Sequence, residues 1–343
     1  MEYDFALVQA GNKLTARVTS VGLSEESKSI SEGLVGSMGT IIFASDHASS
    51  RTISDAMEAA ATVGISGGIP IGTFGSASGG SMRYESGSHV DVESFHVSLG
   101  ASYAAKLDPG RLTVGIFGEY GIGSYDTVNS FPNAGVVLGH GDTRYLGIGV
   151  LARFDFSQTA MGNFYAELTA RLGTVENEYW SDDILRGQRV SYSSRAPYYG
   201  FHLGVGHKWK LGQSGVLDTY VKYLWNHQNA DKVVVSTGET VSFRAVDSHR
   251  LRVGARYNHF VSGRVSPYVG IAYEHEFDGR ADAFVNGLAV ESPSMRGGTG
   301  MGELGISFTT GEGSRLSVDL GVQAYVGKRQ GFSGSLTLRL EFE

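Results

Sequence analysis

From Ile69 to the end of the chain, apolar and polar positions alternate one for one in runs separated by turn-forming residues. The pattern is clearest at Leu112, Val114, Ile116, Gly118, Tyr120 and Ile122, and again at Leu217, Thr219, Val221, Tyr223 and Trp225. It recurs at Val265, Val269, Ile271, Tyr273 and Phe277, and at Leu316, Val318, Leu320, Val322 and Val326. Successive strand side chains point to opposite faces, so a period of two predicts strands with one apolar face, about twelve of them here. Their expected spans are 69–83, 90–106, 111–126, 142–156, 163–177, 195–211, 215–229, 246–261, 264–279, 295–310, 314–327 and 331–342.

One stretch breaks this rhythm. Across 24–63, Ile30, Leu34, Met38, Ile41 and Ile42 recur at three- and four-residue steps, one stripe of a helix. Ser24, Glu25 and Glu26 supply the start signals. The run His47–Arg51 is expected to interrupt the helix, with Thr52 and Asp55 as a capping box opening a second one over 53–61. Gly33, Gly36 and Gly39 each disfavour a helix by about 1 kcal/mol relative to alanine, which suits a thin rod in a narrow space. Before it, 3–8 and 14–21 alternate around Gly11-Asn12. Residues 1–23 thus read as the last rung of a larger β structure, 24–68 as a helical linker and 69–343 as the sheet.

Whether the apolar face meets a core or lipid is decided by three features. Short connections at Asp108–Gly110, Gln158–Gly162, Gly212–Ser214, Ser262-Gly263 and Gly311–Gly313 alternate with mostly long ones at about 127–141, 178–194, 230–245 and 280–294, as in an up-and-down membrane barrel. Strands running toward the short turns carry outward aromatics at that end: Tyr103, Phe154 with Phe156, Trp209, Tyr257, Phe308 and Phe342. Aromatics at one level form an interfacial girdle. The opposite face holds Glu119, Glu167, Arg171, Arg250, Arg252, Arg256, Glu274, Glu276 and Arg339, with Arg153, Asp218, Lys222 and Asp319. A soluble sandwich would need apolar filling there, whereas charges around a wet lumen can pair and stay hydrated. Twelve strands enclose more space than side chains alone fill, and the thin helix suits that space. The expected fold is an all-β transmembrane barrel with an α-helix threading its lumen.

Composition sharpens this picture at a few points. No apolar run approaches the ~18–20 residues of a membrane helix, but a barrel does not require one. The net charge of −7 argues against nucleic acid as a partner. Zero cysteine fits an envelope protein. Met1-Glu2-Tyr3-Asp4 has neither the basic start nor the apolar core of a signal peptide, so an exported chain is expected to be a fragment with an added start. Gly64–Gly68 matches G-x-S-x-G after a helix, where a hinge is expected, and Gly300–Gly305 matches G-x-G-x-x-G inside a strand with no helix following. The glycines of 300–305 are expected to let the lumen helix approach the wall. His202 and His207 point to opposite faces and cannot share a metal. No catalytic residue, metal site or cofactor is expected.

Several motifs in order carry a family resemblance: Ser81–Asp91 (SMRYESGSHVD), Gly123–Asp126 (GSYD), Ala245–Arg252 (AVDSHRLR), Glu274–Gly279 (EHEFDG), Gly302–Gly305 (GELG) and Asp319–Val322 (DLGV), closing with Gly327–Arg329 and Gly334–Leu336. Over 24–342 the chain resembles the C-terminal translocator, or β-domain, of monomeric bacterial autotransporters (type V secretion). The resemblance implies an outer-membrane barrel of twelve strands that anchors an N-terminal passenger and exports it through the lumen, which the linker then plugs. It also implies both ends of the barrel on the periplasmic side and the far end of the linker at the cell surface. Implied partners are the chain's own passenger, outer-membrane lipids, the barrel-assembly machinery and periplasmic chaperones. The protein is expected to be a monomer. Two features depart from the family pattern. Glu343 follows the aromatic Phe342 that usually ends the chain, and no asparagine lies between Ser24 and Gly68, so asparagine-driven cleavage of the linker has no nucleophile. An outer-membrane enzyme with a rim site and a passive porin are the alternatives. The polar side of 27–46 is expected to meet Arg250, Arg252, Arg256, Glu274 and Glu276.

Overall fold

The computed structural model describes residues 2–10, 12–63, 71–132, 135–156, 163–261, 265–309 and 316–340. Strands β1 (Glu2–Ala10) and β2 (Lys13–Gly22) form a hairpin. A 3-10 turn, Glu25–Ser31, leads into α1 (Glu32–His47), a π-helical turn at Ala48–Thr52 and α2 (Ile53–Val63). There follow β3 (Ile71–Glu85), β4 (His89–Leu107), β5 (Gly110–Phe131), β6 (Gly135–Phe156), β7 (Asn163–Leu185), β8 (Gln188–Leu211) and β9 (Gly215–Gln228). Next come β10 (Asp231–Val234), β11 (Thr240–Phe243), β12 (Val246–His259), β13 (Val265–Glu276), β14 (Ala283–Val285) and β15 (Leu288–Ala289). The last are β16 (Gly297–Thr309), β17 (Leu316–Gly327) and β18 (Arg329–Leu340).

Strands β3 to β9, β12, β13 and β16 to β18 make a closed antiparallel barrel of twelve. Each pairs with its neighbour in sequence, and β18 closes on β3 from Arg329↔Tyr84 to Leu340↔Thr73. The alternation sends Val114, Ile116, Tyr120 and Ile122 outward on β5, and Leu146, Ile148 and Val150 outward on β6, all exposed. Beyond them polar residues enter the outward positions, Ser124, Asp126 and Ser130 on β5 and His140, Asp142 and Arg144 on β6, with Val136 and Leu138 still exposed nearer the tip of β6. The barrel thus wears an outward apolar belt, the feature by which a membrane-spanning barrel meets lipid.

Two of the expected long loops are not loops. Strands β5 to β8 run 22 to 24 residues, while a bilayer crossing uses about 9–11. About half or more of each therefore exceeds what a crossing needs, and the stretches near 127–141 and 178–194 are chiefly strand, with a two-residue turn at Arg186-Gly187 joining β7 to β8. Main-chain pairing continues there because the inward side chains, Tyr125, Val175, Tyr179, Val190 and Tyr192, remain buried. The other two long connections fold into a four-stranded sheet, β10-β11-β14-β15, across the same end of the barrel. We refer to it as the cap.

Candidate functional site

The lumen is filled by the chain from Glu25 to Val63, the linker. Every residue of α1 is buried, so it has no solvent face and no need of strong amphipathicity. The stripe residues Ile30, Leu34, Met38, Ile41 and Ile42 are all buried in one cluster with wall and cap side chains. Ile30 sits in the 3-10 turn before α1. The three glycines are explained by what faces them. A methyl group on Gly33 would overlap the Tyr192 hydroxyl, one on Gly36 the Tyr125 ring, and one on Gly39 would lie 2.9 Å from the Tyr84 ring. Two of these tyrosines also bond the linker backbone: Tyr192 donates to the Ile30 carbonyl (3.2 Å) and Tyr84 to that of Gly39 (3.2 Å).

Below this tyrosine-lined half the contacts become ionic. Asp46 accepts from Arg250 (2.7 Å), Arg252 (2.6 Å) and Arg329 (2.7 Å), and Glu274 bonds the same three arginines from the wall. One turn on, Arg51 reaches Asp319 (2.6 Å) and Glu303 (3.2 Å). A further turn on, Asp55 accepts from Arg339 (3.0 Å) and Thr337 (3.1 Å). Linker charges of alternating sign thus meet wall clusters of the opposite sign, and Asp46, Arg51 and Asp55 are each paired, as a low-dielectric site requires, whereas the buried Glu32 accepts from the Ser86 hydroxyl (3.0 Å).

The run His47–Arg51 does not end the helix, contrary to the pattern-based expectation. The chain widens into a π turn and continues, because the carbonyl groups this loosens find wall donors: Lys222 Nζ bonds the Ser49 carbonyl at 2.7 Å. Nor is there a capping box, since Thr52 lies 3.3 Å from the Ser98 hydroxyl and Asp55 is engaged by the wall.

Of the expected lumen charges, all nine point inward. Glu119 pairs with Arg171 (3.0 Å), and Arg171 also bonds Asn226 (2.9 Å). Glu167 pairs with Lys222 (2.8 Å) and Arg153 (3.1 Å). Arg256 goes to Glu303 and Glu276 to Ser248 and the His249 amide, so these two do not meet the linker as expected. The charges are buried in a packed lumen, not hydrated in an open one; a polar cavity of about 70 Å³ remains beside the π turn, lined by Ser50, Glu167, Lys222 and Arg252.

The glycines of 300–305 do not admit the linker either. Gly305 makes room for Tyr268 of the neighbouring strand, whereas the linker comes closest at Gly72, Gly123 and Gly321. Tyr103, Trp209 and Phe308 are exposed outward near short turns, with Phe154, Phe156 and Tyr257 on the same face. Phe342 and the 64–68 motif lie outside the described residues. No group of three metal-ligating side chains is present among the described residues.

A family model described as "Autotransporter beta-domain" matches residues 105–323, more than half of the chain. The chain belongs to the autotransporter β-domain family. Solved structures agree on the fold. The β-domain of the Bordetella autotransporter BrkA superposes with a TM-score of 0.62 at 16% identity, over 79% of this chain and 99% of that one. The transport unit of AIDA-I from Escherichia coli gives 0.61 at 18%, over 79% and 90%. The translocator domain of NalP from Neisseria meningitidis gives 0.61 at 12%, over 88% and 98%. Comparison with curated proteins returned no match. Membership places this autotransporter β-domain in the bacterial outer membrane.

The sequence reading missed several residues that hold the linker in this β-domain: Asp46, Arg51, Asp55 and their partners Arg329 and Glu303. A signal was available, since Asp46, Arg51 and Asp55 are the only Asp, Glu, Lys or Arg residues between Gly33 and Met57. The cap, too, was missed. Beside it, at the β7–β8 tip, two hydrogen bonds from Arg189 (2.7 and 2.9 Å) hold the Asp182 carboxyl below its usual range.

Proposed function

We propose that this barrel anchors the chain in the outer membrane and exports the segment ahead of Ser24 through its lumen, after which the linker stays behind as a plug. The observation that carries the reading is the linker itself, buried along the lumen and gripped through Asp46 by three wall arginines. A passive pore has no use for such a filling, and an enzyme at the rim would have the cap over its site. In this reading 1–23 is the end of the passenger, 24–68 the linker and 69–343 the barrel. The cap lies at the cell surface, and both barrel ends are periplasmic. The barrel acts as a monomer without chemistry of its own. Lipids surround it, and envelope chaperones and the assembly machinery insert it; its cargo is its own passenger.

Two measurements test this. In planar bilayers the barrel lacking Ser24–Val63 should conduct several-fold more than the full chain; equal conductance would show that the linker does not occlude. On intact cells, a reporter joined ahead of residue 1 should be cut by added protease, and a reporter that stays protected would end the export reading.

A further inference from the structure

At the cap end of the wall the outward positions are of two kinds. On β5 to β7 carboxylates prevail: Asp126, Asp142, Glu176 and Glu178. On β9, β12 and β13 the alternation that exposes Tyr223, Leu251 and Tyr273 brings out His227, His249 and His275 instead. Their register is fixed by pairing. His249 lies beside Trp225, and the Phe277 amide donates to the His249 carbonyl (2.9 Å) from the other side. One step toward the belt, Leu251, His275 and Gly298 form the next row. Arg296, exposed, stands just ahead of Gly297, the partner of Glu276. His249, His275 and Arg296 thus surround Phe277, whose ring packs 4.7 Å from that of His275. Diagonal neighbours on a sheet are ~7–8 Å apart, so one small group fits between the three.

Bonds along the sheet decide what these groups offer. The Tyr223 hydroxyl reaches His249 Nδ1 (2.7 Å) and that of Tyr273 reaches His275 Nδ1 (3.4 Å). With the hydroxyls donating, each ring carries its hydrogen on Nε2, which bonds no described residue. Of Arg296 only the amide is engaged, by the Ser294 hydroxyl (3.2 Å). Asp247, beside them, is already taken up by His227 Nδ1 (2.9 Å) and the Trp225 indole (3.0 Å). Three donors, one of them a fixed cation, are therefore left over at the edge of the belt. Below them the wall is hollowed. Gly300 and Gly302 hold outward positions on β16, between Tyr273 and Ile271 on one flank and Val326 and Ala324 on the other. A methyl group on Gly302 would meet nothing within 4 Å, whereas Ile271 and Val326 stand exposed on either side as the walls of a lane. We propose that this sector binds a membrane lipid bearing a phosphate monoester, its terminal oxygens accepting from His249, His275 and Arg296 and an acyl chain lying along Gly300 and Gly302. A monoester presents three such oxygens to the three donors, a diester fewer, and the carboxylates of β5 to β7 repel it from the other sector. That the leaflet is the outer one rests on the cap lying at the cell surface.

The test is native mass spectrometry of the full chain released from phosphatidylcholine nanodiscs doped with lipid A, a glycolipid bearing phosphate monoesters. The unaltered chain should retain lipid A. Arg296→Ala and the double variant His249→Ala/His275→Ala, each shown folded by heat-modifiability, should retain several-fold less. Gly302→Leu, which fills the lane without meeting the wall, should also retain less. Arg144→Ala removes an outward arginine that lies opposite Glu176 on β7, and its retention should match that of the unaltered chain. Lipid A stripped of its phosphates should be held no better by the unaltered chain than by Arg296→Ala. Equal retention by the unaltered and Arg296→Ala chains overturns the proposal, as does retention that survives loss of the phosphates or an Arg144→Ala loss as large as that of Arg296→Ala. Unchanged retention by Gly302→Leu, or full displacement by inorganic phosphate, overturns it too, since the site would then take the free ion and not a lipid. Binding is read on purified protein, so a reporter that stays protected on cells defeats the export reading alone, and equal retention defeats this site alone.

Discussion

Asp46 is where one side chain carries the most. It and Glu274 are two carboxylates set among Arg250, Arg252 and Arg329, and all five are buried. Replacing Asp46 by Asn leaves three guanidinium groups sharing one carboxylate, and breaking a buried ion pair from one side costs about 3–5 kcal/mol. Asp46→Asn should therefore lower the temperature of the heat-modifiability shift and produce long open events in single-channel records. Lys28→Ala is the control. Its pair with Glu291 is 32% and 72% exposed, and a surface pair contributes only about 0–1 kcal/mol, so neither readout should move. The position of Asp46 was visible in the sequence as the first charged residue after Glu32 along an apolar, glycine-rich helix. Its partners were not, because Arg329 stands in a strand 283 residues away and only barrel closure brings it round.

At the scale of elements, the linker was legible in its limits but not in its continuity. A serine-rich run with a charged end resembles a break when local propensity is the only guide; here wall donors such as Lys222 support the loosened turn. A π turn is one residue more than a regular helix needs, inserted without turning the flanking faces. Deleting Ser50 from it should therefore restore a regular helix and leave both the Gly33–Gly39 face and the Asp55 face in place, with conductance still low. Deleting Ala44 instead turns everything above it by about 100° relative to Asp46. Gly33, Gly36 and Gly39 then leave their tyrosines, and conductance should rise toward that of the linker-deleted barrel. If both deletions open the pore equally, the π turn is not a register device. The extended strands β5 to β8 were misjudged for a related reason. Above the lipid polar residues such as Asp126, His140 and Arg144 break up the outward positions, so the apolar alternation fades although pairing persists.

For the whole molecule, the twofold alternation specified a barrel because each strand separates two environments, hydrocarbon outside and ionic packing inside. That separation predicts which side tolerates error. Leu320 faces outward on β17 and is 45% exposed; a cation there meets lipid with no partner and costs about 2–4 kcal/mol near mid-bilayer. Arg252 looks inward, where hydration would have forgiven its loss had the lumen been wet. The lumen is packed, so the reason for tolerance has to be different. Removing Arg252 leaves Arg250 and Arg329 against Asp46 and Glu274, two charges of each sign; what is lost is the three hydrogen bonds of one guanidinium, about 1.5–3 kcal/mol each, offset by the desolvation of a cation that no longer has to be buried. Leu320→Arg should therefore destabilise at least as much as Arg252→Leu, and Asp46→Asn, which unbalances the same cluster, should destabilise more than Arg252→Leu. Unfolding of the three variants in urea from lipid vesicles, followed by heat-modifiability, checks the order. If Arg252→Leu proved as damaging as Asp46→Asn, the grip on the linker would depend on the number of bonds and not on the balance of charge.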